Sequence, residues 1–212
     1  GGIAAQGADI LGYNQAANAW TMVYDGSVRG TAKNISAFHI MDDGSLLLVF
    51  GANQTIDGLG KATPYDVVKF TPNTPGVFPL GAGVYSWFFQ GRLKGLTTTG
   101  EKIDALDLVG NRLLLSTTAA ASVPKPGGGA LKAADEDVFA YDLAQSQWES
   151  VLVIDGSKTP GMATEDISGL WDDPQSDDYY ISIVGAFNLG SVSGNDKSIV
   201  KLTPNGGATV YT

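Results

Sequence analysis

Carboxylates are the side chains with which this sequence is best equipped for chemistry. The 22 Asp and Glu outnumber 13 Lys and Arg, and they gather in runs: Glu101 and Asp104, Asp135-Glu136-Asp137, Glu165 and Asp166, Asp172-Asp173 and Asp177-Asp178. Calcium takes about six to eight oxygen ligands from carboxylates, carbonyls and water, and Gly-rich loops with clustered acids can supply them. The best candidate metal site is Glu101, Asp104, Asp135, Glu136 and Asp137, with calcium as the ion. The competing role is local, since Asp hydrogen-bonds its own turn and charge on an edge strand blocks aggregation. No segment has the EF-hand spacing with its closing Glu. Glycoside hydrolysis would need two carboxyl groups converging across one bond, and nothing singles out such a pair. The single His, His39, lies in the strand Ala37-Phe38-His39-Ile40. No Gly-x-Ser-x-Gly elbow accompanies it, so a structural histidine is expected rather than a triad. Zero Cys removes disulfides and thiolate chemistry, and with one His it removes most zinc sites. The expectation is a protein with no catalytic site, calcium being the one candidate cofactor.

Four tryptophans, Trp20, Trp87, Trp148 and Trp171, could stack on sugar rings. The first three recur near the same strand of a repeat, which points instead to packing between sheets. Pro124-Lys125-Pro126-Gly127-Gly128-Gly129 lacks the Gly-Lys-Ser/Thr ending and the following helix of a phosphate cradle, and reads as a flexible surface loop. A net charge of −9 with no basic run argues against nucleic acid as a partner. No run reaches the roughly 18 apolar residues of a membrane span, and no charged-then-apolar leader opens the chain.

The elements that must position these residues come in repeats. Gly26, Gly91 and Gly156 are 65 residues apart each time. Each follows an aromatic-rich run (Trp20 to Tyr24, Tyr85 to Phe89, Trp148 to Ile154). Each precedes a strand opening on a shared isoleucine: Asn34-Ile35-Ser36-Ala37, Lys102-Ile103-Asp104-Ala105 and Asp166-Ile167-Ser168-Gly169. A turn and an apolar run come next, Asp43-Gly44 into Leu46 to Val49 being the clearest hairpin signal. A long Gly/Ala/Pro-rich loop then leads to a last short strand: Asp66 to Phe70, Asp137 to Tyr141, Ser198 to Leu202, with Asp9 to Tyr13 of the same class. No 3.6-residue apolar stripe interrupts this order. Four antiparallel strands per repeat is the pattern of a propeller blade. The expectation is therefore an all-β, propeller-like array over residues 1–212, with three full repeats, partial repeats at both ends and about fourteen strands.

These repeats resemble those of secreted bacterial β-propeller-like proteins. There a Trp-x-x-x-Phe-Asp-Gly-Ser segment is followed by Glu-Asp-Ile-Asp-Ala-Leu, Gly-Arg-Leu-Leu-Leu-Ser-Thr and Asp-Glu-Asp. The matching residues here are Trp20 to Ser27, Glu101 to Leu106, Asn111 to Thr117 and Asp135 to Asp137. The middle repeat fits best; the first has Lys33-Asn34 and the third Asn195-Asp196-Lys197-Ser198 at acidic positions. The resemblance implies an extracellular or cell-surface setting and implies no reaction. The expected role is a structural or adhesive surface protein that self-associates into a fibre or layer through its unfinished terminal repeats. A carbohydrate- or calcium-binding module, with a glycan as partner, is the other expectation.

Overall fold

Asp-Gly turns, alternating apolar runs and the absence of helical periodicity give antiparallel sheets in the computed structural model, which describes residues 2–203 and 207–211. No α-helix occurs among the described residues, and none of their helices is long and apolar enough to cross a membrane. The chain divides into two compact units, Gly1–Gln90 and Gly91–Thr212.

The strands of the first unit are β1 (Ile10–Asn14), β2 (Ala19–Tyr24), β3 (Ile35–Ile40), β4 (Leu46–Phe50), β5 (Gln54–Ile56), β6 (Gly60–Ala62), β7 (Asp66–Pro72) and β8 (Gly83–Gln90). β1 and β2 form a hairpin, β3, β4, β7 and β8 pair in that order as a four-stranded sheet, and β5 with β6 makes a separate ribbon. Leu46, Leu48, Phe50, Val68 and Phe70 on one face of the sheet form a core with Ile10, Val23 and Tyr24 of the hairpin. Each such side chain contributes about 2 kcal/mol on leaving water. The buried Tyr24 hydroxyl meets Thr31 Oγ1 at 2.8 Å and the Tyr85 hydroxyl at 2.6 Å, so its polar end is satisfied. The β3–β4 turn depends on Gly44, whose φ of +76° puts it in the left-handed region. A Cβ there would also lie 2.9 Å from Pro75 Cβ. Gly44→Ala should therefore lower stability by about 1–2 kcal/mol in urea unfolding, whereas Gly58→Ala, with left-handed strain but no neighbour, should cost about 1.

The second unit contains β9 (Ile103–Val109), β10 (Arg112–Thr117), β11 (Ala121–Pro124), β12 (Ala130–Ala133), β13 (Phe139–Asp142), β14 (Gln147–Trp148), β15 (Ile167–Asp172), β16 (Tyr179–Ile183), β17 (Phe187–Asn188), β18 (Ser193–Gly194), β19 (Ile199–Leu202) and β20 (Ala208–Tyr211). Its two four-stranded sheets run β9-β10-β13-β14 and β15-β16-β19-β20. They share one core, in which Ala105, Leu114, Val138 and Ala140 of the first meet Ile181, Ile183, Val200 and Leu202 of the second. The three four-stranded sheets and the hairpin hold the strands expected from the repeat. The stretches expected as long loops instead carry the ribbons β5–β6, β11–β12 and β17–β18, which are too short to show a period. Pro124 to Gly129 is the defined turn of the β11–β12 ribbon, and its glycines are required by φ values of +79°, +99° and +77°.

A β-bulge recurs at the same place in all three sheets. Ile35 pairs with Phe50 and Ala37 with Val49; Ile103 with Thr117 and Ala105 with Ser116; Ile167 with Ile183 and Gly169 with Ser182. Ser36, Asp104 and Ser168 are the extra residues. Just before each, the carbonyls of Asn34, Lys102 and Asp166 accept the N–H groups of Gly51, Thr118 and Val184 at 2.8, 2.9 and 2.9 Å. Bulges re-aim side chains and often flank functional sites, and in the middle sheet the re-aimed side chain is a carboxyl.

Candidate functional sites

Asp104 is buried at the seam of the second unit's two sheets, where β9 and β15 pack side by side. It faces Asp166, which feels the charge of Asp135 in turn. Burial first, and then the negative charge of Asp166, pushes Asp104 up to about 8. Burial and the charge of Asp135 push Asp166 up to about 6. Asp104 thus keeps a proton that it donates to Asp166, so the pair carries one charge between two carboxyls. The remaining Oδ1 atoms of both residues are without hydrogen-bond partners. Burial, followed by the charges of Asp137 and Asp135, also raises Glu136.

Two other members of the candidate calcium set, Glu101 and Asp137, are committed to the backbone. Glu101 Oε2 accepts the N–H groups of Thr97 and Thr98, both at 2.7 Å, and Oε1 accepts that of Ser122 at 3.1 Å. Burial works against its charge, yet these amides hold its carboxyl below the ordinary glutamate range. Asp137 Oδ2 accepts the Ala134 N–H and Oδ1 the Gly156 N–H, both at 2.8 Å. Asp9 repeats this arrangement with Gln6 and Gly26, at 2.7 and 2.9 Å. Asp66 accepts the Thr63 N–H at 3.0 Å, and in the last sheet Ser198 Oγ takes over, accepting the Asn195 N–H at 3.2 Å. At Gly26 and Gly156 the phased glycine and the acid that precedes the strand are therefore two ends of one structural device, whereas Asp66 Oδ1 has no hydrogen-bond partner. Among the described residues, no three His, Cys, Asp or Glu side chains are placed to hold a metal ion. Glu101, Asp104, Asp135, Glu136 and Asp137 do not converge as a ligand set. Calcium at millimolar concentration is accordingly expected to shift the melting temperature by less than about 1 °C in a thermal-shift assay, since only a ligand that prefers the folded chain raises it.

A second site lies on the outer face of the β15-β16-β19-β20 sheet. An open cleft of about 710 Å³ is lined there by Trp171, Tyr180, Tyr211 and Ile199, with Asp173 and Gln175 at its margin. The Trp171 and Tyr180 rings lie 5.3 Å apart, Tyr180 and Tyr211 5.6 Å apart, and Lys201 Nζ sits 5.9 Å over Tyr180 while pairing with Asp178 at 2.6 Å. Trp171 is 47% exposed and Tyr211 56%. Counting from the bulge, Tyr180 corresponds to Leu47 and Leu114, and Ile199 to Val67 and Val138. Those four residues are fully buried.

No protein-family model matches this chain, and no curated protein matches it. Among solved structures it is similar to two extracellular domains from B. thetaiotaomicron. One, of a one component system, aligns with a TM-score of 0.34 at 10% identity over 84% of this chain and 22% of that chain. The other, of a hybrid two component system, aligns with a TM-score of 0.27 at 10% identity over 84% of this chain and 26% of that chain. The chain spans about a quarter of the length of these structures.

The tryptophans divide differently from the packing expectation. Trp148 is buried, with its ring N–H donated to the Lys94 carbonyl at 2.6 Å, and Trp87 is half-buried. Trp20 and Trp171 are exposed. The register also separates Trp87 from the others. Trp20 pairs with Tyr13 and Trp148 with Tyr141, whereas the matching pair in the first sheet is Phe70 with Tyr85, and Trp87 lies opposite Val68. His39 lies mid-strand opposite Leu47, the register position that Trp171 occupies opposite Tyr180.

Proposed function

We propose that the chain is a non-enzymatic structural or adhesive module of an extracellular or cell-surface protein, with its four-stranded sheets arranged as blades of a propeller-like array and self-association as its mode of work. The observation that carries this reading is the aromatic face of the last sheet, where Trp171 and Tyr211 are exposed while Tyr180 and Ile199 stand at positions that are fully buried in the other sheets. Contiguous exposed apolar surface of this kind marks an interaction site. The side-by-side packing of β9 and β15, the first strands of successive sheets, supports a blade-like arrangement. The commitment of Glu101 and Asp137 to backbone amides supports a role that does not use them in catalysis. Sedimentation velocity tests the assembling role: the sedimentation coefficient should rise between micromolar and millimolar chain concentration, and a strictly monomeric chain would sink it.

Glycan binding is the second reading, favoured by one juxtaposition. Trp171 and Tyr180 offer ring faces for the C–H side of a sugar, and Asp173, Gln175 and Ser182 in the same cleft offer polar atoms for its hydroxyls. Tryptophan fluorescence that shifts on titration with an oligosaccharide, and no longer does so in Trp171→Ala, would favour this reading.

A further inference from the structure

The free face of the last sheet and the free face of the N-terminal hairpin are the two halves of a contact that the fold already makes elsewhere. Within the second unit, the face of the β9 sheet bearing Ala105, Leu114, Val138 and Ala140 seats the face of the β15 sheet bearing Ile181, Val200 and Leu202. In the first unit, the hairpin presents Ile10 and Tyr24 to the face of the β3 sheet bearing Leu48, Val68 and Phe70. Register places these contacts in one class. Counted from Asp9, Asp66, Asp137 and Ser198, the next residue is Ile10, Val67, Val138 or Ile199, on the seating face. The fourth residue on is Tyr13, Phe70, Tyr141 or Leu202, on the seated face.

One face of each kind remains open. The seating face of the last sheet carries the exposed Ile199 and Trp171 beside the half-buried Tyr180. The seated face of the hairpin carries Tyr13, 48% exposed, and Trp20, 57% exposed, with rings 4.9 Å apart. Their counterparts Tyr141 and Trp148 are buried to within 3%. A surface of each type is therefore open at opposite ends of the strand order, and each is the kind of partner the other's counterparts already have.

We propose that the Tyr13–Trp20 face of the β1–β2 hairpin docks on the Trp171–Tyr180–Ile199 face of a second copy of this chain, a head-to-tail contact. Because the two patches differ, the contact is heterologous and propagates unless its rotation closes a ring. This rests on the self-associating reading above.

The test uses Trp20→Glu and Trp171→Glu in the full chain. Both side chains are about half exposed, and circular dichroism and melting temperature should match the parent. Each variant alone should associate about thirtyfold or more weakly than the parent, the cost of losing an aromatic anchor. An equimolar mixture should recover association but stop at a dimer, since the Trp20→Glu copy keeps an intact sheet face and the Trp171→Glu copy an intact hairpin. Several results would overturn the proposal. If the parent associates and neither variant weakens it, the docking faces are wrong while self-association stands. If Trp20→Glu alone still dimerises, the sheet faces pair with each other. If both variants are monomeric, melt lower and fail to complement, the two faces close within one chain. A parent that never associates removes the proposal together with the reading beneath it.

Discussion

Asp104→Asn should raise the melting temperature at about pH 8 and leave it little changed below about pH 4, flattening the pH dependence of stability. In the folded chain Asp104 holds its proton up to about 8, against 3.8 for an ordinary Asp. Between those values the folded state binds more protons than the unfolded chain, so stability is fully present below the lower value and is lost as pH rises through the upper one. Asp166, raised to about 6 by burial and Asp135, and Glu136, raised chiefly by burial, act in the same direction. The lowered carboxyls have the opposite sign. Asp43, held down to about 2 by Ser45 and Lys69, loses its contribution only as pH falls below about 4. Across neutral pH the buried pair therefore dominates, and a carboxyl with so raised a proton affinity weighs a few kcal/mol against folding near pH 8. Asparagine keeps the shape and a hydrogen-bond donor for Asp166 while removing the titration. Chemical unfolding of parent and variant across this range measures the difference, and parallel pH profiles would show that the pair does not govern it.

The repeat itself was legible because it is written in residues with restricted roles. Gly26, Gly91 and Gly156 keep phase; at Gly26 and Gly156 an added Cβ would collide with the backbone carbonyls of Ala8 and Glu136. Ile35, Ile103 and Ile167 sit at the fixed pairing before the bulge. The bulge was not legible, since Ser36, Asp104 and Ser168 have in common only a small polar side chain. The Asp104–Asp166 pairing joins two sheets, a relation that no local spacing records. Acidic clustering suggested a cation because composition does not show that Glu101 and Asp137 are each occupied by amides. Aromatic recurrence suggested uniform packing because spacing alone matched Trp87 to Trp148, where register matches Tyr85. One signal for the open face was present. Leu47 and Leu114 give way to Tyr180, which exchanges hydrocarbon for an amphipathic group on the surface that the next sheet would cover.

Asp137→Ala should lower stability by about 3 kcal/mol, or about 10 °C in melting temperature, even though it removes no hydrocarbon from the core. Both oxygens of this buried carboxylate are used, one by the Ala134 N–H and one by the Gly156 N–H. Alanine leaves two donors without an acceptor, and a buried unpaired donor costs about 1–3 kcal/mol. Water cannot easily replace the carboxylate at the second donor, because Gly156 lies against the Glu136 side chain and carbonyl so closely that even a Cβ would not fit. Asp142 provides the control. It also accepts two backbone N–H groups, from Ala144 and Gln145 at 2.9 Å each, but in an exposed turn where solvent can take its place. Asp142→Ala should cost no more than about 1 kcal/mol. The last repeat supplies a rescue, since Ser198 performs half of the task there with one oxygen. Asp137→Ser should therefore fall between alanine and the parent, keeping the Ala134 bond and losing the Gly156 bond. Equal losses for Asp137→Ala and Asp142→Ala in denaturant titration would show that the buried carboxylate is not what ties the third strand to the glycine beyond the fourth.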